Sequence, residues 1–218
     1  SSGGSSIGLE MYDKPKAISL EYSTDGFIWK NYSIGNYISI SDGESLMFRA
    51  GPEKNDTFSS RSGYYRFVSN EGGKIAASGN IMSLLDRDFA IPLPDYAFNC
   101  LFKGCADLIS APELPATNLN NYCYFEMFKD CSNLLSAPEL PATTLAEGCY
   151  HGMFEDCKSL STAPELPATT LAASCYSGMF SGCTSLTNAP ELPATTLAAW
   201  CYSSMFFACE SLENAPNL

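Results

Sequence analysis

The chain has 218 residues, of which 45% are hydrophobic and 17% charged, a balance that is typical of a globular protein and excludes a disordered one. Its net charge of −12 is unevenly shared: residues 1–90 carry −2 (nine basic against eleven acidic residues), and residues 91–218 carry −10 (three against thirteen). The acidic second half argues against nucleic acid and anionic lipid as partners, because both require a basic surface. No apolar run reaches the roughly 18–20 residues of a membrane-spanning helix.

The first half of the chain is typical of β structure. Residues 1–8, SSGGSSIG, are predicted to be a flexible linker. Short β-branched and aromatic runs follow, with turn dipeptides such as Asp25-Gly26 between several of them: AISLEYS, FIWKNY, YISIS, SLMFRA, YYRFVS, KIAAS and IMSLL. Short strands at this spacing predict an antiparallel β-sandwich domain over 9–88, with Trp29 in its core.

The second half, residues 89–218, repeats with a period of 26 residues. Two cysteine columns define the period, each with members 26 positions apart: Cys105, Cys131, Cys157, Cys183 and Cys209, then Cys123, Cys149, Cys175 and Cys201. A fixed period of this length predicts a solenoid, in which each unit buries its apolar face against its neighbours.

Each unit is predicted to contain a short strand and a helix. The strand is exemplified by SLTNAPEL at 185–192, and the helix by TTLAASCYSGMFSGC at 169–183. Leu171, Cys175 and Met179 follow at intervals of four and so form one apolar stripe of a helix. Glycine at positions 152 and 178 weakens such a helix. The fold class is therefore expected to be mixed α+β.

The two ends of the repeat region differ from its centre. The first unit is degenerate, which suits a terminal cap. The last unit is truncated inside SLENAPNL, and Trp200 and Phe207 replace small or polar residues there. We expect the natural chain to continue past Leu218, or these apolar residues to mediate self-association through the C-terminal repeat end.

The segments YAFNCLFKGCADLISAPELP and CYSGMFSGCTSLTNAPELP resemble the BspA-like leucine-rich repeats of bacterial surface proteins. The resemblance covers about residues 89–218 and recurs five times, with a period longer than is usual for that family. It implies a leucine-rich-repeat αβ solenoid and a secreted bacterial protein or surface lipoprotein. The anchor would lie upstream of residue 1, and the role would be adhesive or ligand-binding.

Catalysis is not supported by the sequence. The cysteine spacings match no zinc motif, and they favour buried thiols over bridges between neighbouring units. The one histidine, His151, occupies a position where other units carry Phe125, Ser177 and Ser203, so no dedicated catalytic constellation surrounds it. No catalytic residue, metal or cofactor is therefore predicted, and the protein is not expected to be an enzyme.

A non-catalytic binding or adhesion module is the favoured function, with an extracellular protein or glycan as its partner. The candidate ligand-binding residues are the glutamates of the PELP motifs and one aromatic residue: Glu113, Glu139, Glu165, Glu191 and Trp200. The glutamates are expected either to form an acidic stripe for cations or a basic partner, or to serve as local backbone acceptors or point into water. A spacer that holds another domain away from the cell is the alternative function, and the predicted sandwich remains a second candidate for the binding domain.

Overall fold

The computed structural model describes residues 5–13, 15–70, 72–89, 91–214 and 216, and its N-terminal half consists of small antiparallel sheets. The strands of the two antiparallel sheets are β1 (Ser5–Tyr12), β2 (Leu20–Ser23), β3 (Lys30–Tyr32), β4 (Tyr37–Ile40), β5 (Met47–Ala50) and β6 (Tyr64–Asn70). One sheet has the order β4-β1-β6 and the other β3-β2-β5, and every pair within them is antiparallel. Five of these strands fall in the runs that the sequence analysis identified.

β1 was not predicted, because its first four residues fall in the expected linker. Ser6, Ile7 and Gly8 pair with β4 on one side and with β6 on the other, so this segment is the centre of its sheet. Serine and glycine dominate this stretch, and such a composition does not predict a strand. The strand is stabilised by pairing with its two neighbours, β4 and β6. Residues 1–4 of the expected linker lie outside the described residues.

The two sheets meet through aromatic side chains. The rings of Phe48 on β5 and Phe67 on β6 lie 5.1 Å apart, and the Tyr32 hydroxyl accepts a hydrogen bond of 2.8 Å from the Leu9 amide. Trp29 does not belong to this core, contrary to the prediction. Its indole is partly exposed, and the Arg49 guanidinium lies 3.8 Å from the ring centroid.

The predicted α+β class and the leucine-rich-repeat αβ solenoid are wrong. The described residues contain no α-helix; their one helical element is a 3-10 helix at Ile81–Leu84. Segment 169–183, predicted to be a helix, consists mainly of turns. Segment 185–192, predicted to be a strand, forms a single isolated bridge, between Asn188 and Thr162. Among its described residues, the repeat region contains one strand, β8 (Leu108–Ser110), which pairs in parallel with β7 (Ile75–Ala76).

The hydrogen bonds of the repeat region explain why no helix forms. Each unit contains a nine-residue segment, here called a row, and the rows are 96–104, 122–130, 148–156, 174–182 and 200–208. Within a row, alternate amides close tight turns, as when Ser177 N–H donates to the Ser174 carbonyl at 3.2 Å. The intervening amides leave the row and donate to the next unit, as when Tyr176 N–H donates to the Cys201 carbonyl at 3.0 Å. An α-helix would keep all of these bonds within one segment.

Backbone torsions point to the same conclusion. The first, fifth and ninth residues of every row have positive φ, including Gly152 at 58° and Gly178 at 63°. A right-handed helix requires negative φ throughout, so one such residue in every four prevents it. Gly152 and Gly178 were expected to weaken a helix, whereas they occupy left-handed positions that glycine tolerates without strain.

The core of the repeat region consists of side chains stacked from unit to unit. One column of rings runs through Phe98, Tyr124, Tyr150, Tyr176 and Tyr202, and another through Phe102, Phe128, Phe154, Phe180 and Phe206. Neighbouring centroids lie 5.7 Å apart in the pair Phe128–Phe154, with planes only 3° from parallel. The 26-residue period of the sequence is therefore the period of contact between units.

Candidate functional site

The structure leaves the predicted glutamate column open to solvent. Glu113, Glu139, Glu165 and Glu191 are all exposed. Their carboxylates form no ion pair or side-chain hydrogen bond with the described residues. At Glu113 it is the backbone that is engaged, since its N–H donates to the Gly79 carbonyl at 2.9 Å and its carbonyl accepts from Ile81 N–H at 3.2 Å. The carboxylates therefore point into water and do not act as acceptors for the local backbone.

Other acidic residues of the repeat region are neutralised by neighbouring units. The Glu126 carboxylate lies 2.5 Å from the Lys103 ammonium, and Lys129 reaches Glu155 at 2.8 Å. Lys129 and Glu155 share a sequence column, so the period of 26 aligns these two members of the ion-pair ladder, whereas Lys103 and Glu126 belong to different columns and their pairing does not follow from the period. In Lys103, the hydrogen bond to Glu126 raises the pKa although burial acts to lower it. The ladder pairs its acidic groups, whereas the glutamate column is left without a partner in the described residues.

Trp200 is the first residue of the last row and belongs to a different sequence column from the glutamates. Its side chain is 74% exposed, and its φ is 60°. In earlier units the same position carries Tyr96 and Tyr122, whose rings stack 5.1 Å apart, and then Gly148 and Ser174, which have no ring. The preceding unit therefore offers Trp200 no ring to stack on, and its exposed indole, which has no ring contact among the described residues, is an apolar patch of the last row.

His151 is a packing residue in this structure. Its ring stacks on Phe125 with 5.0 Å between centroids and an interplanar angle of 11°. Burial lowers the pKa of its imidazole, against the opposing influence of Glu126 and Glu155. The column that contains His151 therefore carries flat rings in two neighbouring units, which explains its place without a catalytic role.

The cysteines are free thiols, and all but Cys209 are buried. Those of one column donate weak hydrogen bonds to the preceding unit; Cys157 Sγ, for example, lies 3.1 Å from the Phe128 carbonyl oxygen. Burial raises the pKa of Cys149 from an ordinary 9.0 to about 12. Such thiols are poor nucleophiles, because the reactive form is the thiolate.

A second apolar surface, which the sequence analysis did not identify, lies on the loop between β2 and β3. Phe27 is 90% exposed and Ile28 is 64% exposed. The loop is held firmly, because Asp25 Oδ1 accepts the backbone N–H groups of both residues at 2.8 Å. These two hydrogen bonds hold the pKa of the Asp25 carboxyl below its usual value. Aspartate followed by glycine signalled a turn here, but not the display of two apolar side chains.

Within the described ranges, no group of three or more histidine, cysteine, aspartate or glutamate side chains could hold a metal ion. No helix there is both long and apolar enough to cross a bilayer. No family model matches the chain, and neither the curated proteins nor the solved structures include a match. The resemblance to BspA-like repeats therefore remains a prediction from the sequence.

Proposed function

We propose that this protein is a non-catalytic binding module that presents its glutamate column to an extracellular protein or glycan at a bacterial cell surface. The observation that carries the proposal is the contrast between two sets of acidic residues. Glu126 and Glu155 are paired with lysines of the same chain. Glu113, Glu139, Glu165 and Glu191 are exposed and unpaired among the described residues.

The column has the chemistry of a site for a basic partner. Neighbouring units are about one ring spacing apart, 5.7 Å between Phe128 and Phe154, so the carboxylates recur at short intervals. Like charges at about 5–6 Å repel one another by roughly 1 kcal/mol in water. A partner with cationic groups relieves that repulsion on binding, and it makes association sensitive to salt.

The test compares two charge-matched double variants. Glu139→Gln with Glu165→Gln removes two charges from the centre of the column, and Glu210→Gln with Glu213→Gln removes two exposed charges outside it. Binding of a lysine oligomer to the immobilised protein is measured at low and moderate salt, followed by a glycan-array screen of the wild type. The column variant is expected to lose at least about fivefold more affinity than the control, since one paired charge contributes roughly 1 kcal/mol. Equal losses would show that only net charge matters and would overturn the proposal.

A spacer is the second candidate, supported by the ladder of hydrogen bonds between units. Every second amide of the first four rows donates to the following unit, as Gly178 N–H does to the Ser203 carbonyl at 2.8 Å. This regular connection suits a rigid element that separates two other parts of a surface protein. Absence of any ligand in the lysine-oligomer and glycan screens, with the fold intact, would favour the spacer over the binding module.

A further inference from the structure

The last row of the repeat region ends in a set of hydrogen-bond donors. In the fourth row every outward amide has an acceptor in the next unit, at N···O distances of 2.8 to 3.0 Å. The equivalent amides of the fifth row donate to no group among the described residues: Trp200, Tyr202, Ser204, Phe206 and Ala208. The local turns of this row are intact; Ser203 N–H, for example, donates to the Trp200 carbonyl at 3.1 Å. The row is therefore formed, and its outer edge presents only N–H groups.

Apolar side chains lie beside these donors. The ring columns stop at Tyr202 and Phe206, which contact the preceding unit at 6.0 and 5.8 Å between centroids; no ring of a described residue lies on their other face. An open hollow of about 370 Å³ lies there, lined by both rings together with Leu192, Ser204, Met205, Phe207 and Pro216. Phe207 is 70% exposed. The outer edge of row 200–208 and this hollow are called the C-terminal face below.

The opposite end of the stack is covered by the N-terminal half. The Leu101 carbonyl of the first row accepts a hydrogen bond of 2.7 Å from Phe67 N–H on β6. Phe67 also stacks on Phe102 at 5.3 Å, and Phe58 packs near Phe98 at 6.1 Å. The β-sheet half thus supplies partners to the first row, and the last row has no equivalent cover in the described residues.

We infer that the C-terminal face is a docking surface for a further 26-residue unit of the same pattern, set in register with the existing columns. Such a unit presents a carbonyl at every second residue and two aromatic rings, which is what this face lacks. The same interface occurs four times between the five rows, so the geometry is already established in this chain. The inference does not depend on the proposed binding function.

A second copy of the chain does not fit this surface in the same way. Two C-terminal faces brought together would place N–H groups opposite N–H groups, and buried donors without acceptors destabilise an interface. The acceptor edge of another copy is already occupied at Leu101 by its own β6. The surface therefore selects a repeat unit with a free acceptor edge over a partner of identical structure.

The experiment extends the full chain by one period. A copy of residues 193–218 is appended after Leu218, which shares the column of Leu192 and so preserves the register. The control carries the same 26 appended residues in shuffled order. Hydrogen exchange is then followed by NMR at the amides of Trp200, Tyr202, Ser204, Phe206 and Ala208, with the amides of row 148–156 as a measure of the intact fold.

We expect these five amides to exchange quickly in the unextended chain and at least about tenfold more slowly with the ordered extension, because the new hydrogen bonds must open before exchange. The shuffled extension should leave them fast. Equal exchange in the two extended chains, with row 148–156 protected in both, would overturn the inference. If the extended chain failed to fold, hydrogen exchange in the unextended chain would still test the inference. Slow exchange there in dilute solution, or protection that grows with concentration and accompanies dimer formation, would show that the face is already covered and would also overturn it.

Discussion

Alkaline pH should destabilise this protein through its buried thiols. Burial raises the pKa of both Cys149 and Cys183 from 9.0 to about 12. In the unfolded chain these groups ionise near pH 9, whereas in the folded chain they stay neutral. The folded protein thus binds more protons than the unfolded chain above pH 9, so the free energy of unfolding falls as pH rises from 9 towards 12 and is fully retained below about pH 8.

The size of the effect follows from the two pKa values. For one thiol that shifts from 9.0 to about 12, linkage predicts a loss of about 1.4 kcal/mol between pH 8 and pH 10. Cys183 contributes a similar amount. Their combined loss, about 3 kcal/mol, is a large fraction of the 5–15 kcal/mol that is typical of a folded domain. The pKa values of Cys123, Cys131 and Cys157 are also raised, so the total should be larger.

The assay is urea unfolding at pH 8 and pH 10 under reducing conditions, for the wild type and for Cys149→Ala. The variant loses packing at both pH values, but it lacks one titrating group, so its stability difference between the two pH values should be smaller by about 1.4 kcal/mol. Met153→Leu, a change of a buried neutral residue in the same unit, should leave that difference unaltered. A pH dependence that is identical in wild type and Cys149→Ala would refute the reasoning.

Three further predictions concern the core, the turns and the thiols. Tyr124→Phe should raise the free energy of unfolding by about 1–2 kcal/mol, because the Tyr124 hydroxyl is buried and none of the described residues forms a hydrogen bond with it. Tyr32→Phe should lower it by about 1 kcal/mol, because that hydroxyl bonds Leu9 and Asn36; urea titration that found the opposite signs would contradict this. Gly178→Ala should cost about 1–2 kcal/mol from its φ of 63° alone, since the nearest atom to a new Cβ is 4.0 Å away. Gly148→Ala should cost more in the same titration, because its Cβ would lie 2.3 Å from the Tyr122 ring; equal costs would show that the clash relaxes freely. With a thiol reagent at pH 8, Cys209 should react first and the buried thiols only as the chain opens, and rapid labelling of all ten would exclude the buried ladder.

Much of the first half could be predicted from local sequence. Alternating runs such as YYRFVS place β-branched and aromatic residues on a pleated surface, and β6 forms there. β1 could not be predicted in this way, because Ser5, Ser6 and Gly8 have little intrinsic preference for strands. They form a strand because β4 and β6 pair with this segment. The position of Trp29 was likewise predicted wrongly. Residue type alone does not show that its partly exposed ring packs against the Arg49 guanidinium and not in the core.

For the candidate site, the sequence identified the glutamate column but not its surroundings. The period of 26 residues was enough to align Glu113, Glu139, Glu165 and Glu191 in one column. Whether a carboxylate at such a position is paired depends on which side chains the neighbouring units bring within about 4 Å. Only the tertiary structure shows that Lys103 and Lys129 reach Glu126 and Glu155, and that no described residue reaches the column.

The repeat itself determined which residues are buried and which units are in contact, and the tertiary structure decided how the backbone is bonded. Apolar residues at intervals of four, such as Leu171, Cys175 and Met179, mark one buried face, and all three are buried. That interval suits a helix of 3.6 residues per turn and also a chain that turns every four residues, so the side-chain pattern cannot distinguish them. The two structures differ in the acceptors of alternate backbone amides. Here those acceptors belong to the next unit: Tyr176 N–H donates to the Cys201 carbonyl, 25 residues further along the chain.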